Sequence, residues 1–226
     1  IGMLPFMLTG AQSAALTEIS ADMESSSRML RLLQGDVGSG KTIVALLAML
    51  QAVGNGAQAV LMAPTEILAL QHAETIAPYL EEMGIGWDVI IGRNQGQRRR
   101  DALARLADGT TRLAVGTHAL FQSDIEFQDL GMAVVDEQHR FGVQQRMALS
   151  EKGNGVDVLV MTATPIPRTL TLTAYGDMDV SRMIEKPPGR KPVDTRVIGF
   201  EKYDDIVAGL ANVLSRDQQI YWVCPL

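Results

Sequence analysis

Cysteine is almost absent: Cys224 is the sole thiol in 226 residues. That excludes a disulfide framework and a cysteine-built metal cluster, and it fits a reducing cytosol, so a cytoplasmic location is expected. No apolar run reaches the length of a membrane span, and no N-terminal signal peptide is visible. Internal repeats and low-complexity tracts are missing as well. A basic excess is lacking too, because 26 Asp and Glu outweigh 20 Lys and Arg and leave a net charge of −6. Any nucleic-acid binding must then come from placed contacts rather than from an overall field. Arg98-Arg99-Arg100 is a local basic run and reads as the solvated start of a helix.

Short apolar runs alternate with helical patterns through most of the chain. Strands are expected near Met29–Leu33, Ala59–Ala63, Asp88–Ile91, Arg112–Gly116, Met132–Asp136 and Asp157–Thr162. Helices fill the gaps, among them Ile43–Leu50, Glu66–Met83 and Arg98–Ala107, the last ending at Asp108-Gly109. Strands apolar on both faces, separated by helices, indicate an α/β fold with a parallel sheet covered on each side. The stretch from Pro187 to Pro192 is too rich in proline to continue a helix or a central strand, so residues 187–192 read as a linker after a domain at 1–186. Residues 193–226 then offer a strand (Thr195–Phe200), a helix (Tyr203–Leu214) and a strand (Ile220–Val223). Ile206, Val207, Leu210, Val213 and Leu214 share one face of that helix and need cover. About 34 residues cannot bury enough surface to stand alone. With Ile1 in place of a start methionine, the expectation is a piece of a longer polypeptide.

Gly35-Asp36-Val37-Gly38-Ser39-Gly40-Lys41-Thr42 satisfies the pattern G-x-x-x-x-G-K-S/T between an expected strand and an expected helix. Such a turn aims successive backbone N–H groups at one point, which favours a polyphosphate. Lys41 supplies a point charge for the β- and γ-phosphates, and the Thr42 hydroxyl suits Mg2+. The chain is expected to bind a nucleoside triphosphate.

About a hundred residues later an apolar run ends in Val135-Asp136-Glu137-Gln138-His139. Asp136, at the strand tip, is the candidate to hold Mg2+ through water, and Glu137 the candidate to orient and deprotonate an attacking water. Three more strand ends carry small hydroxyl-bearing turns: Ala63-Pro64-Thr65-Glu66, Gly116-Thr117-His118-Ala119 and Thr162-Ala163-Thr164-Pro165. Ligands gather outside the carboxyl ends of parallel strands, and such turns can hold a nucleic-acid phosphate chain. Taken singly, each is also an ordinary helix cap.

In this order, GDVGSGKT, APTEILALQH, GTHAL, DEQHRFGVQQR and TATPIPRTL resemble the first motor domain of the superfamily 2 helicases, in their RecG branch. The resemblance runs from Leu4-Pro5-Phe6 to Tyr221-Trp222-Val223-Cys224-Pro225. A related family, the transcription-repair coupling translocases, shares HRFGV and TATPIPRTL. It usually has Asp-Glu-Glu-His where this chain has Gln138, and the stretches Tyr175–Ser181 and Pro187–Arg190 look more like RecG.

The resemblance implies a RecA-like P-loop lobe that hydrolyses ATP with Mg2+ and moves on branched duplex DNA, followed by the start of a second α/β lobe. It assigns Gln12 to reading adenine, with Phe6 supporting the base. Thr9 and Gln12 also form T-x-x-Q, a capping box for the following helix. Gln138, His139, Thr162 and Thr164 are expected to couple hydrolysis to DNA. Thr65 and Thr117 are the candidates for the DNA backbone, and Arg140 and Arg146 either join that groove or are solvated. An arginine finger would lie past Leu226, so little DNA-stimulated turnover is expected from these residues alone.

Overall fold

Side-chain alternation explains the architecture. The computed structural model describes residues 5–92, 96–122, 125–136, 155–164, 178–185 and 193–224. The chain divides into two units, Ile1–Pro188 and Gly189–Leu226. In the first unit the order is α1 (Gly10–Met23), β1 (Leu30–Gly35), α2 (Lys41–Gly54), β2 (Gln58–Met62), α3 (Glu66–Glu82) and β3 (Trp87–Ile90). Next come α4 (Gln97–Ala107), β4 (Leu113–Gly116), a 3₁₀ turn (His118–Phe121), β5 (Leu130–Asp136), β6 (Asp157–Thr162) and β7 (Asp179–Met183). The strands form one sheet in the order β3-β4-β2-β5-β6-β1-β7. All its pairings are parallel. Parallel neighbours need crossovers, which α2, α3 and α4 provide between β1 and β4.

Successive strand residues feed two separate cores. Leu33, Leu61, Val115, Val134, Leu159 and Met161 pack with α1, α2 and α3 on one face. Leu32, Val60, Ala114, Val135, Val158 and Val160 pack with Leu106 of α4 on the other. Each buried Leu or Val contributes about 1.5–3 kcal/mol relative to exposure. A one-residue slip would exchange the two cores, so the register is firmly specified.

Strand β7 was not among the strands expected from the local pattern. Its pattern, Asp179-Val180-Ser181-Arg182-Met183, is polar and half-exposed because it is the edge strand beside β1. Buried Arg31 ties it down: Nε donates to Asp22 Oδ2 at 2.6 Å, and Nη1 donates to Glu18 Oε2 at 3.2 Å and Ser181 Oγ at 2.9 Å. One guanidinium thus joins α1, β1 and β7.

In the second unit, α5 (Tyr203–Leu214) follows a 3₁₀ turn at Phe200–Lys202. The strands expected at Thr195–Phe200 and Ile220–Val223 do not form. A strand exists through its ladder, and residues 193–224 contain none among the described residues. What gathers instead is aromatic: Tyr203 stacks on Phe200 with centroids 5.5 Å apart and meets Trp222 edge-on at 5.7 Å. On α5, Val207 and Leu214 are exposed and no residue is buried. No described helix is long and apolar enough to cross a membrane.

Candidate functional site

Because β1, β6 and β5 are parallel neighbours, their carboxyl ends share one edge of the sheet. Gln34 lies opposite Thr162, and Met161 opposite Asp136. The tips of β1 and β5 are therefore two strand spacings apart, about 10 Å. Lys41 and Thr42 open α2 directly after the loop that leaves β1.

The loop of Gly35, Asp36, Val37, Gly38, Ser39 and Gly40 is shaped for an anion. Gly40 has φ +86° and serves as the N-cap of α2 with no side-chain cap, and a Cβ there would overlap Gln12 Nε2. The N–H groups of Gly38 and Gly40 have no acceptor among the described residues. Ser39 Oγ is buried without a partner among the described residues. Ser39 is the buried member, while Gly38 is exposed and Gly40 half-buried, so these donors converge where an anion can reach them from solvent, and the cluster fits a polyphosphate. Lys41 Nζ lies across the loop, donating to the carbonyls of Gly35 at 2.6 Å and Asp36 at 3.0 Å.

Gln12 sits behind the loop rather than open to solvent, being 5% exposed. Its Oε1 accepts from Thr9 N at 2.9 Å while Thr9 Oγ1 accepts from Gln12 N, so the capping box is formed. Its Nε2 donates to Ser39 O at 2.9 Å. Both ends of the amide are thus engaged, one on α1 and one on the phosphate loop. Glu185 adds to the same helix start by accepting from Ala11 N at 2.9 Å.

At the other strand tip, Asp136 Oδ2 lies 2.6 Å from His72 Nε2 of α3, with both side chains largely buried. Asp136 Oδ1 and the Thr42 hydroxyl have no hydrogen-bond partner among the described residues. Oxygen donors of this kind suit a hard cation such as Mg2+, which keeps most of its waters and takes few protein ligands. Among the described residues, no group of three His, Cys, Asp or Glu side chains is placed for a metal. Glu137, Gln138, His139, Arg140 and Arg146 lie outside the described residues.

Thr162 is fully buried and accepts from Thr164 N at 3.1 Å through its hydroxyl. Gln34 Nε2 donates to Thr164 O at 3.1 Å, so this turn is tied to the strand that leads into the phosphate loop. Thr65 is the N-cap of α3, its hydroxyl accepting from Leu68 N at 3.3 Å. Thr65 and Thr117 also meet across a groove of about 560 Å³ that Glu66, Arg99, His118 and Gln122 help to line. Thr117 is 4% exposed, and its hydroxyl has no hydrogen-bond partner among the described residues. Of the basic run, Arg99 turns toward this groove, with Nη2 3.4 Å from Gln122 Oε1. His72 and Arg99 were not legible as site residues. Their only signals were a histidine on the apolar side of α3 and a cation in the first turn of α4.

A glycine-rich turn of the phosphate-loop pattern and an acidic strand tip on one edge of a parallel sheet define the class as a P-loop fold. Residues 9–173 match the DEAD/DEAH box helicase family model, and the chain belongs to that family. It is 50% identical over 226 residues to ATP-dependent DNA helicase RecG of Bacillus subtilis (strain 168), covering 100% of this chain and 33% of that protein. It is also 50% identical over 223 residues to ATP-dependent DNA helicase RecG of Streptococcus pneumoniae serotype 4, covering 99% and 33%. Among solved structures, RecG bound to a three-way DNA junction matches with TM-score 0.84 and 42% identity over 95% of this chain and 29% of that one. The DEAD-box helicase Mss116 bound to ssRNA and UDP-BeF has TM-score 0.67 and 17% identity over 93% and 48%, and shares the fold. The chain spans about one third of the length of the curated relatives it matches.

Proposed function

We propose that this chain is the nucleotide-hydrolysing motor lobe of a RecG-type DNA helicase acting on branched duplex DNA in the cytoplasm. What supports this most is the shared sheet edge, where unsatisfied loop donors face the problem of binding an anion and Asp136 keeps one oxygen available. Similarity to RecG over the whole chain, including a structure with a three-way DNA junction, supports the choice of DNA.

Bound at this edge, ATP with Mg2+ supplies the phosphoanhydride and the charge neutralisation that its cleavage requires. The backbone donors of Gly38 and Gly40 hold the phosphates, and Lys41 exchanges its two carbonyl partners for phosphate oxygens. Thr42 and Asp136 are the oxygen donors for the cation. Glu137 takes the proton from the attacking water. Thr65, Thr117 and Arg99 engage the DNA backbone in the groove. The turn at Thr162–Thr164, with Gln138 and His139, carries changes at the phosphate loop toward the DNA. Residues 193–226 begin a second RecA-like lobe after the linker at 187–192.

Lys41→Ala in the natural full-length polypeptide tests the proposal. A fluorescent ATP analogue should bind at least about tenfold more weakly, the loss of roughly 1.4 kcal/mol or more. Hydrolysis stimulated by forked DNA should collapse while circular dichroism stays unchanged. Unaltered nucleotide affinity and unwinding would remove Lys41 from the mechanism.

A further inference from the structure

We infer that His72 is a positioning residue that holds Asp136 in its metal-binding orientation. The inference rests on the nucleotide-site reading above and assigns a role to a residue outside the phosphate loop and the acidic tip.

The contact follows from two periodicities. Along β5, Met132 and Val134 face the core shared with α2 and α3, so Asp136, two residues further, belongs to the same face. On α3 the buried stripe is Ala69, Ala73, Ile76 and Leu80. Position 72 follows Ala69 by three and precedes Ile76 by four, which puts it on the inward side. The two patterns meet at the strand tip, where His72 Nε2 and Asp136 Oδ2 are 2.6 Å apart with side chains 13% and 14% exposed.

A carboxylate only accepts, so the ring nitrogen is the donor. With Oδ2 occupied, the carboxylate can no longer rotate freely, and Oδ1 is the oxygen left without a partner among the described residues. A fixed carboxylate meets a hydrated cation without first losing rotamer freedom, which is how partners behind a ligand raise metal affinity. The support is rigid, because Ala69, Ala73 and Ile76 anchor this part of α3 against the sheet. The same helix starts at Thr65 in the groove, seven residues or about 10 Å from His72.

The test is binding of a fluorescent non-hydrolysable ATP analogue, titrated with MgCl2, by the natural full-length polypeptide and its His72→Ala and His72→Gln variants. His72→Ala should need about tenfold more Mg2+ for half-maximal binding. Its affinity for the analogue without metal should be unchanged, and its circular dichroism spectrum should show the fold retained at the assay temperature. His72→Gln keeps an N–H near the Nε2 position and should recover most of the shift. An Mg2+ curve for His72→Ala that overlays the parent would overturn the inference, as would a shift to lower Mg2+, which would mean that the imidazole competes with the cation. Equal impairment of both variants would also overturn it, because packing rather than the hydrogen bond would then be responsible. A parent protein with no Mg2+-dependent binding would sink the nucleotide-site reading itself, an outcome distinct from the other three.

Discussion

Replacing Gln12 by Ala separates its two roles. The side chain makes two hydrogen bonds of 2.9 Å, one from Thr9 N and one to Ser39 O, and it is 5% exposed. Each bond contributes about 1 kcal/mol net. Loss of the buried aliphatic stem adds about 1 kcal/mol. Alanine returns a few tenths through its better helix propensity. The sum is about 3 kcal/mol, which for a unit of this size lowers the melting temperature by roughly 6–12 °C. Thermal unfolding followed by circular dichroism, without nucleotide, measures it. A strut that braces the phosphate loop must show this loss before any ligand is added. If Gln12→Ala melts within about 2 °C of the parent but no longer prefers ATP over GTP, the bracing argument is refuted and Gln12 acts by reading adenine.

Two further perturbations probe the scaffold. Burial pushes the Asp157 carboxyl above its ordinary range, the hydrogen bond from Met29 N draws it partly back, and the charge of Asp22 adds to the rise. Since the folded value is the higher one, the carboxylate costs stability increasingly as pH rises through that value, and the cost is absent below the unfolded value. Asp157→Asn keeps the acceptor for Met29, so it should melt above the parent at pH 7 with the advantage disappearing toward about pH 4. A constant difference across that range would contradict the cause given. Arg31→Met leaves Asp22 and Glu18 facing Ser181 without their cation. About 3 kcal/mol should be lost, the lower end for a broken buried pair because Glu18 is half-exposed, and urea unfolding measures it. A change under about 0.5 kcal/mol would mean that the network is ornamental to stability.

The strands at 59–63, 112–116, 132–136 and 157–162 were legible because their apolar residues serve both faces of a buried sheet, a pattern that local sequence carries in full. The glycine-rich turn between β1 and α2 was legible for a similar reason: its glycines, Lys41 and Thr42 fall within eight consecutive positions. Edge strand β7 was not, since half of it is exposed and its ladder to β1 spans about 150 positions of sequence. Thr195–Phe200 and Ile220–Val223 have strand-like composition yet lack a ladder, which shows that β propensity without a partner edge decides little.

By itself, then, the order of residues determined the class of sheet, the glycine-rich turn between β1 and α2 and the acidic strand tip, because each depends on neighbours close in the chain. Only the tertiary structure decided that Gln12 braces Ser39, that Arg99 turns into the groove with Thr65 and Thr117, and that His72 grips Asp136. These pairings are set by which face of a strand meets which face of a helix. That is fixed when the parallel order of the sheet brings residues as far apart as positions 72 and 136 to one edge.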